Sequence, residues 1–417
     1  MKVMHIHNDA PWRDAGDVGD SGYQSLGGMP LYLHCLVEGQ RARGIETCMI
    51  RFSPNPDRDM DAEHCHVLPT ASQRPRPSIH RRLYRCVMAE DPDVIHMHST
   101  YYAMNPIMLR GLRRMKPSVH TFHDVMPLCY RHNKLHSDGR LCERPIGYGC
   151  VSTGCYKLGS NDRLHRDLLR VLIAPFRLEE YRRLPMCIVP SGYLRELLIA
   201  NGFREDRVRV LSLFSRFEDE GVAPPEPRGD RQAKILFVGR LVPDKGVSEL
   251  MEAFSLLIPK PWQSTIVGDG ALLDTIRRVV RAKGLVDRVE FAGHAPADSL
   301  QRHYEECSFV VFPSLLPESF GLVGVEAMTF GKPVVGFACG GVLDWLEDGV
   351  NGLLASRGDV PALARQIERL IDNPGLCHRL GMNGFDMVRA RFTRQAHIDG
   401  VLGVYDLAGA TADTEGD

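Results

Sequence analysis

The chain has 417 residues, 44% of them apolar and 25% charged, with 39 glycines, 27 prolines and 12 cysteines. That length exceeds one ordinary core and predicts two domains of about 200 residues each, and the composition excludes a disordered or fibrous chain. Basic and acidic residues number 51 and 52, a net charge of −1 that leaves no global nucleic-acid footprint. The halves differ, with 30 basic against 23 acidic residues up to Phe214 and 21 against 29 after it. A basic N-terminal half suits an anionic acceptor or a peripheral membrane contact; scattered solvated arginines are the plainer reading.

The opening MKVMHIHNDAP lacks the long apolar core of a signal peptide and alternates as a first strand over residues 3–7. Further strands are predicted at 47–52, 94–98, 118–123, 187–190 and 208–213, with helical patterns at 30–43, 79–88, 163–183 and 193–200. After a polar, proline-rich stretch (218–232) the alternation starts afresh. Its strands are 235–238, 265–267, 289–291, 309–312 and 333–337; its helices are 247–257, 271–283, 320–330, 360–371 and 374–391. The final ATADTEGD reads as a loose tail. Twice-repeated βαβα alternation predicts two doubly wound parallel sheets, with ligands at the strand carboxyl ends and the cleft between domains as the default site. The expected division is 1–216, a linker 217–232, 233–391, and a C-terminal segment 392–417. No stretch reaches the roughly 18 uninterrupted apolar residues of a membrane span. A cytoplasmic protein with reduced cysteines is expected.

Several loops could carry chemistry. No G-x-x-x-x-G-K-[ST] occurs, which removes the P-loop ATPases, and Gly268-Asp269-Gly270 lacks the third glycine of a dinucleotide fingerprint, Leu273 standing there. Gly27-Gly28 precedes a helix, where backbone N–H groups can meet a phosphate, or simply forms a tight turn. GRLVPDKG (239–246) puts Arg240 and Lys245 in a turn at a strand end, as a diphosphate clamp or as two solvated cations. In PESFGLVGVE, Glu318 stands beyond a strand and Glu326 lies inside the next helix. Eight helical residues rise about 12 Å, and the two would not share a face. Two contacts on one extended ligand therefore fit better than a hydrolytic carboxylate pair. Asp57, Asp59 and Asp61 imitate a metal-binding Asp-x-Asp motif but sit in a polar loop.

Glu, seven residues, Glu, with Phe-Gly after the first, resembles the signature of the retaining nucleotide-sugar glycosyltransferases of family 4. GRLVPDKG, TFHD (121–124), SGYLRELLIANG, VGDG and FAGH extend the likeness over most of the chain. The resemblance implies the α/β GT-B fold, two Rossmann-like domains facing across a cleft. It implies that Glu318 binds sugar hydroxyls of the donor and Glu326 the ribose hydroxyls. Arg240 and Lys245 would neutralise the leaving diphosphate, aided by backbone N–H groups at Gly28, Gly321 and Leu322. Gly268, Gly293 and His294 would border the nucleobase, and His123 would hydrogen-bond the transferring sugar or the incoming hydroxyl.

It further implies retention of configuration, with no metal and no cofactor, because the two cations serve in place of a metal. The partners would be a nucleoside-diphosphate sugar and a hydroxyl acceptor: a glycan, a lipid-linked glycan or a small natural product. A nucleotide-sugar epimerase, a sugar phosphorylase, or an idle sugar-nucleotide-binding protein stay open as rivals. A cysteine-bearing insert, 129–157 with Cys129, Cys142, Cys150 and Cys155, departs from the pattern. Its spacings match a zinc ribbon poorly, so its cysteines are expected to pack as small apolar residues beneath an acceptor-side loop.

Overall fold

The computed structural model describes residues 1–8, 28–53, 64–69, 77–101, 103–136, 139–155, 164–218 and 232–415. The Asp57–Asp61 string, Gly27 and most of the proline-rich linker fall outside the described residues. The chain forms two compact units. One is built from the described parts of Met1–Asp17, Leu33–Ser212 and His397–Asp417, the other from those of Val18–Tyr32 and Leu213–Ala396.

The first unit holds β1 (Lys2–Asn8), β2 (Glu46–Ser53), β3 (Cys65–Pro69), β4 (Val94–His98), β5 (Ser118–Thr121), β6 (Met186–Val189) and β7 (Val208–Val210). Among the described residues they make one parallel sheet in the order β3-β2-β1-β4-β5-β6-β7. The second unit holds β8 (Ala233–Val238), β9 (Trp262–Val267), β10 (Val289–Gly293), β11 (Phe309–Phe312), β12 (Val334–Ala338) and β13 (Gly352–Ser356). These form a parallel sheet in the order β10-β9-β8-β11-β12-β13. Both orders reverse direction beside the first strand of the unit, the arrangement of doubly wound sheets.

Central strands are buried on both faces, as parallel strands covered by helices must be: every residue of β4, β5, β6 and β11 is buried. Each sheet has its own core, around Ile6, Ile95, Met97 and Leu109 in one and Phe254, Trp262, Phe309 and Val335 in the other. Helix starts are fixed by short polar side chains. Asn105 accepts from the backbone N–H groups of Ile107 and Met108, Ser191 from that of Leu194, and Asp359 from that of Ala362.

Four elements come in addition to those anticipated: β3, β13 and the helices Pro106–Met115 and Ala297–Glu306. The tail needs a larger correction. Rather than a loose end at 410–417, a helix runs over Arg394–Glu415, and from His397 on it belongs to the first unit. Its buried residues His397, Ile398, Val401, Val404, Tyr405 and Ala408 form a stripe of helical period. The insert is also more ordered than a plain loop, with a short helix Tyr148–Ser152 and a bridge between Leu135 and Leu141.

Candidate functional site

In the second unit the motif residues gather at the carboxyl ends of β8, β9, β10 and β11. The turn Pro243–Lys245 follows β8 and is tied to the loop after β11: the Asp244 carbonyl accepts from the N–H groups of Leu315 and Leu316, at 2.9 and 3.1 Å. Gly246 makes this approach feasible. Its φ is 68°, and a Cβ there would stand 1.8 Å from the Pro313 carbonyl oxygen. The result is an ion pair, with Lys245 Nζ 2.5 Å from Glu318 Oε1, which also accepts from Ser314 Oγ at 2.8 Å. Both charged side chains are largely buried, 20% and 12% exposed. Arg240 is exposed on the same turn, and Gly321 and Leu322 open the helix Leu322–Thr329 just beyond Glu318. The first turn of that helix leaves N–H groups without intrahelical partners, a favourable place for an anion.

Gly268 follows the last residue of β9 and packs against two neighbours. Its N–H donates to the Gly293 carbonyl at 2.7 Å, and a Cβ would sit 1.9 Å from the Gly239 oxygen. His294 is exposed beside Gly293. A 460 Å³ cavity in this unit lies at the opposite edge, by Lys234, Ser264 and Arg288 at the strand amino ends, away from every motif residue.

Glu326 is not bonded into this cluster. Its carboxylate, 2% exposed, accepts from Arg216 Nε at 2.6 Å and from Tyr304 Oη at 2.9 Å. Burial beside that carboxylate raises the Tyr304 hydroxyl well above its ordinary range. The two glutamates thus sit in separate surroundings, one in a loop and one inside a helix. Sequence reasoning missed Arg216, Tyr304 and Ser314; only Ser314, four residues before Glu318, lies close enough in the chain to be suspected.

Gly28 opens the helix Gly28–Arg41, whose first residues, to Tyr32, count with the second unit and whose remainder, from Leu33, with the first. His123, Asp124 and the insert all lie in the first unit. β5 stops at Thr121, so His123 stands in the loop just after the strand rather than within it. Its Nε2 is 3.3 Å from Nδ1 of His98, the last residue of β4. Burial pushes the His123 imidazole down to about 3, reinforced by His397, so it is neutral at pH 7. Asp124, beside it, is pushed up to about 6 by burial, partly offset by the Met126 N–H that it accepts at 2.8 Å. Of the insert's four cysteines Cys129 alone is buried; Cys142, Cys150 and Cys155 are half-buried, which corrects the expectation that all pack beneath the loop. Three of them sit at turns, where the backbone bonds of the insert are made: Cys142 N–H donates to the Lys134 carbonyl, Cys150 N–H to Gly147 and Cys155 N–H to Cys150.

The family model for glycosyl transferases group 1 matches residues 222–387, and that for glycosyltransferase family 4 matches residues 26–213. The chain belongs to the family 4 glycosyltransferases. It is 36% identical over 171 residues to an uncharacterised glycosyltransferase of Methanocaldococcus jannaschii, a stretch covering 41% of this chain and 47% of that one. It is 32% identical over 178 residues to the alpha-D-kanosaminyltransferase of Streptomyces kanamyceticus, covering 42% and 46%. These matched stretches span about half the length of those relatives. Among solved structures, sucrose-phosphate synthase of Thermosynechococcus elongatus superposes with a TM-score of 0.69 at 22% identity, over 97% of this chain and 98% of that one. HepE of Anabaena, solved in complex with UDP, gives 0.66 at 19% identity over 97% and 100%. The fold is GT-B: two Rossmann-like α/β units with parallel sheets. No helix among the described residues is long and apolar enough to cross a membrane.

Proposed function

We propose that this protein is a glycosyltransferase that moves a sugar from a nucleoside diphosphate to an acceptor hydroxyl, with retention and without a metal, in the cytoplasm. The observation that carries this reading is the Lys245–Glu318 pair, held with Ser314 at the carboxyl ends of β8 and β11 beside Arg240 and a helix start. Breaking a sugar–phosphate bond develops positive charge on the sugar and adds one negative charge to the leaving diphosphate, whose terminal phosphate becomes a dianion. Fixed cations and helix N–H groups aimed at that leaving group stabilise the transition state more than the bound donor. Arg240 grips the diphosphate through its forked guanidinium and Lys245 as a point charge. Glu318, alongside Lys245, accepts hydrogen bonds from the donor sugar. Glu326, whose oxygens each keep a second lone pair, accepts from the ribose. His123 meets a sugar or acceptor hydroxyl. The likeness to HepE, which was solved with UDP, supports a nucleotide donor.

The test is donor binding and turnover in three variants. Arg240→Ala and Lys245→Ala should each weaken nucleotide-sugar binding by at least tenfold, a charged hydrogen bond contributing about 1.5–3 kcal/mol. Glu318→Gln should bind free nucleoside diphosphate nearly normally while transfer falls about a hundredfold. Activity should survive chelation. Unchanged donor titrations in both cation variants would remove the clamp, and an epimerised sugar formed without any acceptor would replace the reading with that of an epimerase.

A further inference from the structure

The first unit carries a run of buried polar groups that the motif reading does not use. His5 lies on β1 and His96 and His98 on β4, with His5 opposite His96 in the register of the two strands. All three are fully buried, as is Gln40 on the Gly28–Arg41 helix; Thr121 at the end of β5 and Tyr405 on the C-terminal helix are each 1% exposed. These groups form one unbroken series that begins at His123. His123 Nε2 lies 3.3 Å from His98 Nδ1, His98 Nε2 3.1 Å from His5 Nδ1, and His5 Nε2 2.8 Å from Gln40 Oε1. Gln40 Nε2 then lies 3.0 Å from Tyr405 Oη, Tyr405 Oη 2.7 Å from His96 Nδ1, and His96 Nε2 2.7 Å from Thr121 Oγ1.

Counting protons restricts such a series to two states. A neutral imidazole has one N–H and one bare nitrogen, so each link in which one ring donates forces the next ring to donate in the same direction. The Gln40 amide breaks the tie, because it presents Oε1 to His5 and Nε2 to Tyr405. His5 therefore donates from Nε2 and accepts at Nδ1, His98 does the same, and His123 donates from Nε2 into the core. All four rings then hold the Nε2–H form, which is the commoner tautomer of free neutral histidine; the reverse direction would force all four into the rarer one. The rings are neutral because burial lowers each of them, His5 to about 4, His123 to about 3, His96 and His98 well below the usual range.

We infer that His98, His5, Gln40 and Tyr405 are positioning residues that fix the tautomer of His123, so that its Nδ1 is an acceptor and takes a hydrogen bond from a substrate hydroxyl. The contact with substrate rests on the proposed transferase reading; the tautomer does not. The same trio His5, His96 and His98 has ring nitrogens within 4.8 Å of one another, close enough for a metal ion. A metal would take lone pairs that the hydrogen-bonded series already uses, so the two arrangements exclude each other.

Histidine-selective nitrogen-15 NMR on the full chain tests this, with ring signals assigned through single His→Gln variants. The wild type should show His123 protonated on Nε2 and bare on Nδ1. Tyr405→Phe removes the oxygen that holds the Gln40 amide in place, four links from His123, and should turn the His123 signature into a mixture of tautomers. Gln40→Glu keeps an acceptor facing His5 and should preserve the signature. On the transfer reaction, Tyr405→Phe should lower kcat in proportion to the share of the wrong tautomer, about twofold for an even mixture, with the donor KM unchanged. His123 protonated on Nδ1 in the wild type, a His123 signature indifferent to Tyr405→Phe, or a stoichiometric metal lost in His5→Gln would each overturn the inference. A protein with the expected tautomer and no transferase activity would instead fault the functional reading alone.

Discussion

Acid should unfold the first unit well before the second, and the size of the effect follows from its buried histidines. His5, His7, His96, His98, His120 and His397 are all buried in that unit, and each is lowered in the folded state mainly by burial. A depressed histidine contributes stability that is fully present above its unfolded value, about 6.5, and is lost as pH falls toward the folded value. Between pH 7.5 and 5.5 an unfolded histidine gains about 1.4 kcal/mol from proton uptake that a buried neutral ring forgoes, so six forgo about 8 kcal/mol. Asp124 works the other way. Its carboxyl, raised to about 6, takes a proton in the folded state over the same window and returns about 1 kcal/mol. The remainder, about 7 kcal/mol, rivals the whole stability of an ordinary domain, about 5–15 kcal/mol. Urea melts at pH 7.5, 6.5 and 5.5 measure it. Hydrogen exchange read by mass spectrometry resolves the units, and the fluorescence of Trp262 and Trp345 reports on the second. The first unit should lose most of its protection by pH 5.5 while those tryptophans stay native. A first-unit stability that changes by less than about 2 kcal/mol over that range would refute the reasoning.

Gly246→Ala should destabilise the second unit by more than about 2 kcal/mol and weaken donor binding, since both the left-handed backbone and the Pro313 carbonyl oppose a Cβ; circular dichroism melts alongside donor titrations check it. Elemental analysis of freshly purified protein should find no stoichiometric zinc on Cys129, Cys142, Cys150 and Cys155. Among the described residues the only group with three ligand atoms within 4.8 Å of one another is the buried histidine trio; one zinc per chain, lost when Cys142 and Cys150 become Ser, would contradict this.

Much of the fold was legible because strands buried on both faces read as apolar β-branched runs between helical patterns. What escaped had a physical reason in each case. β13, Gly352–Ser356, contains one leucine pair and no β-branched residue, so nothing marks it as a strand outside its sheet. The C-terminal helix is masked in the sequence by its polar last residues, although the mostly apolar stripe from His397 to Ala408 carries a helical period. Glu318 and Lys245 were legible as motif residues, their pairing less so. The partners of Glu326 could not be read at all: Arg216 lies 110 residues before it and Tyr304 22 before it. The histidine series draws on three strands, two helices and a loop, and no spacing along the chain encodes such a meeting.

The two motifs that identify the family are informative together for a reason visible in the backbone. GRLVPDKG and PESFGLVGVE lie more than seventy residues apart, yet the Asp244 carbonyl binds the N–H groups of Leu315 and Leu316. This clasp is made by main-chain atoms, so it positions Lys245 without depending on its charge. The lysine is then free to divide its charge between Glu318 and an incoming anion. Because Glu318 already neutralises part of that charge, a bound diphosphate would have to compete for Lys245, and Arg240 and the start of the Leu322–Thr329 helix must carry more of the attraction. Arg240→Ala is therefore expected to weaken donor binding more than Lys245→Ala, whereas Glu318→Gln, by releasing the lysine, should tighten the binding of free nucleoside diphosphate slightly even as it abolishes most transfer. Calorimetric titration of the three variants with the same nucleoside diphosphate tests that order, and weaker binding in Glu318→Gln than in Lys245→Ala would show that the pair acts as one unit rather than as two competitors.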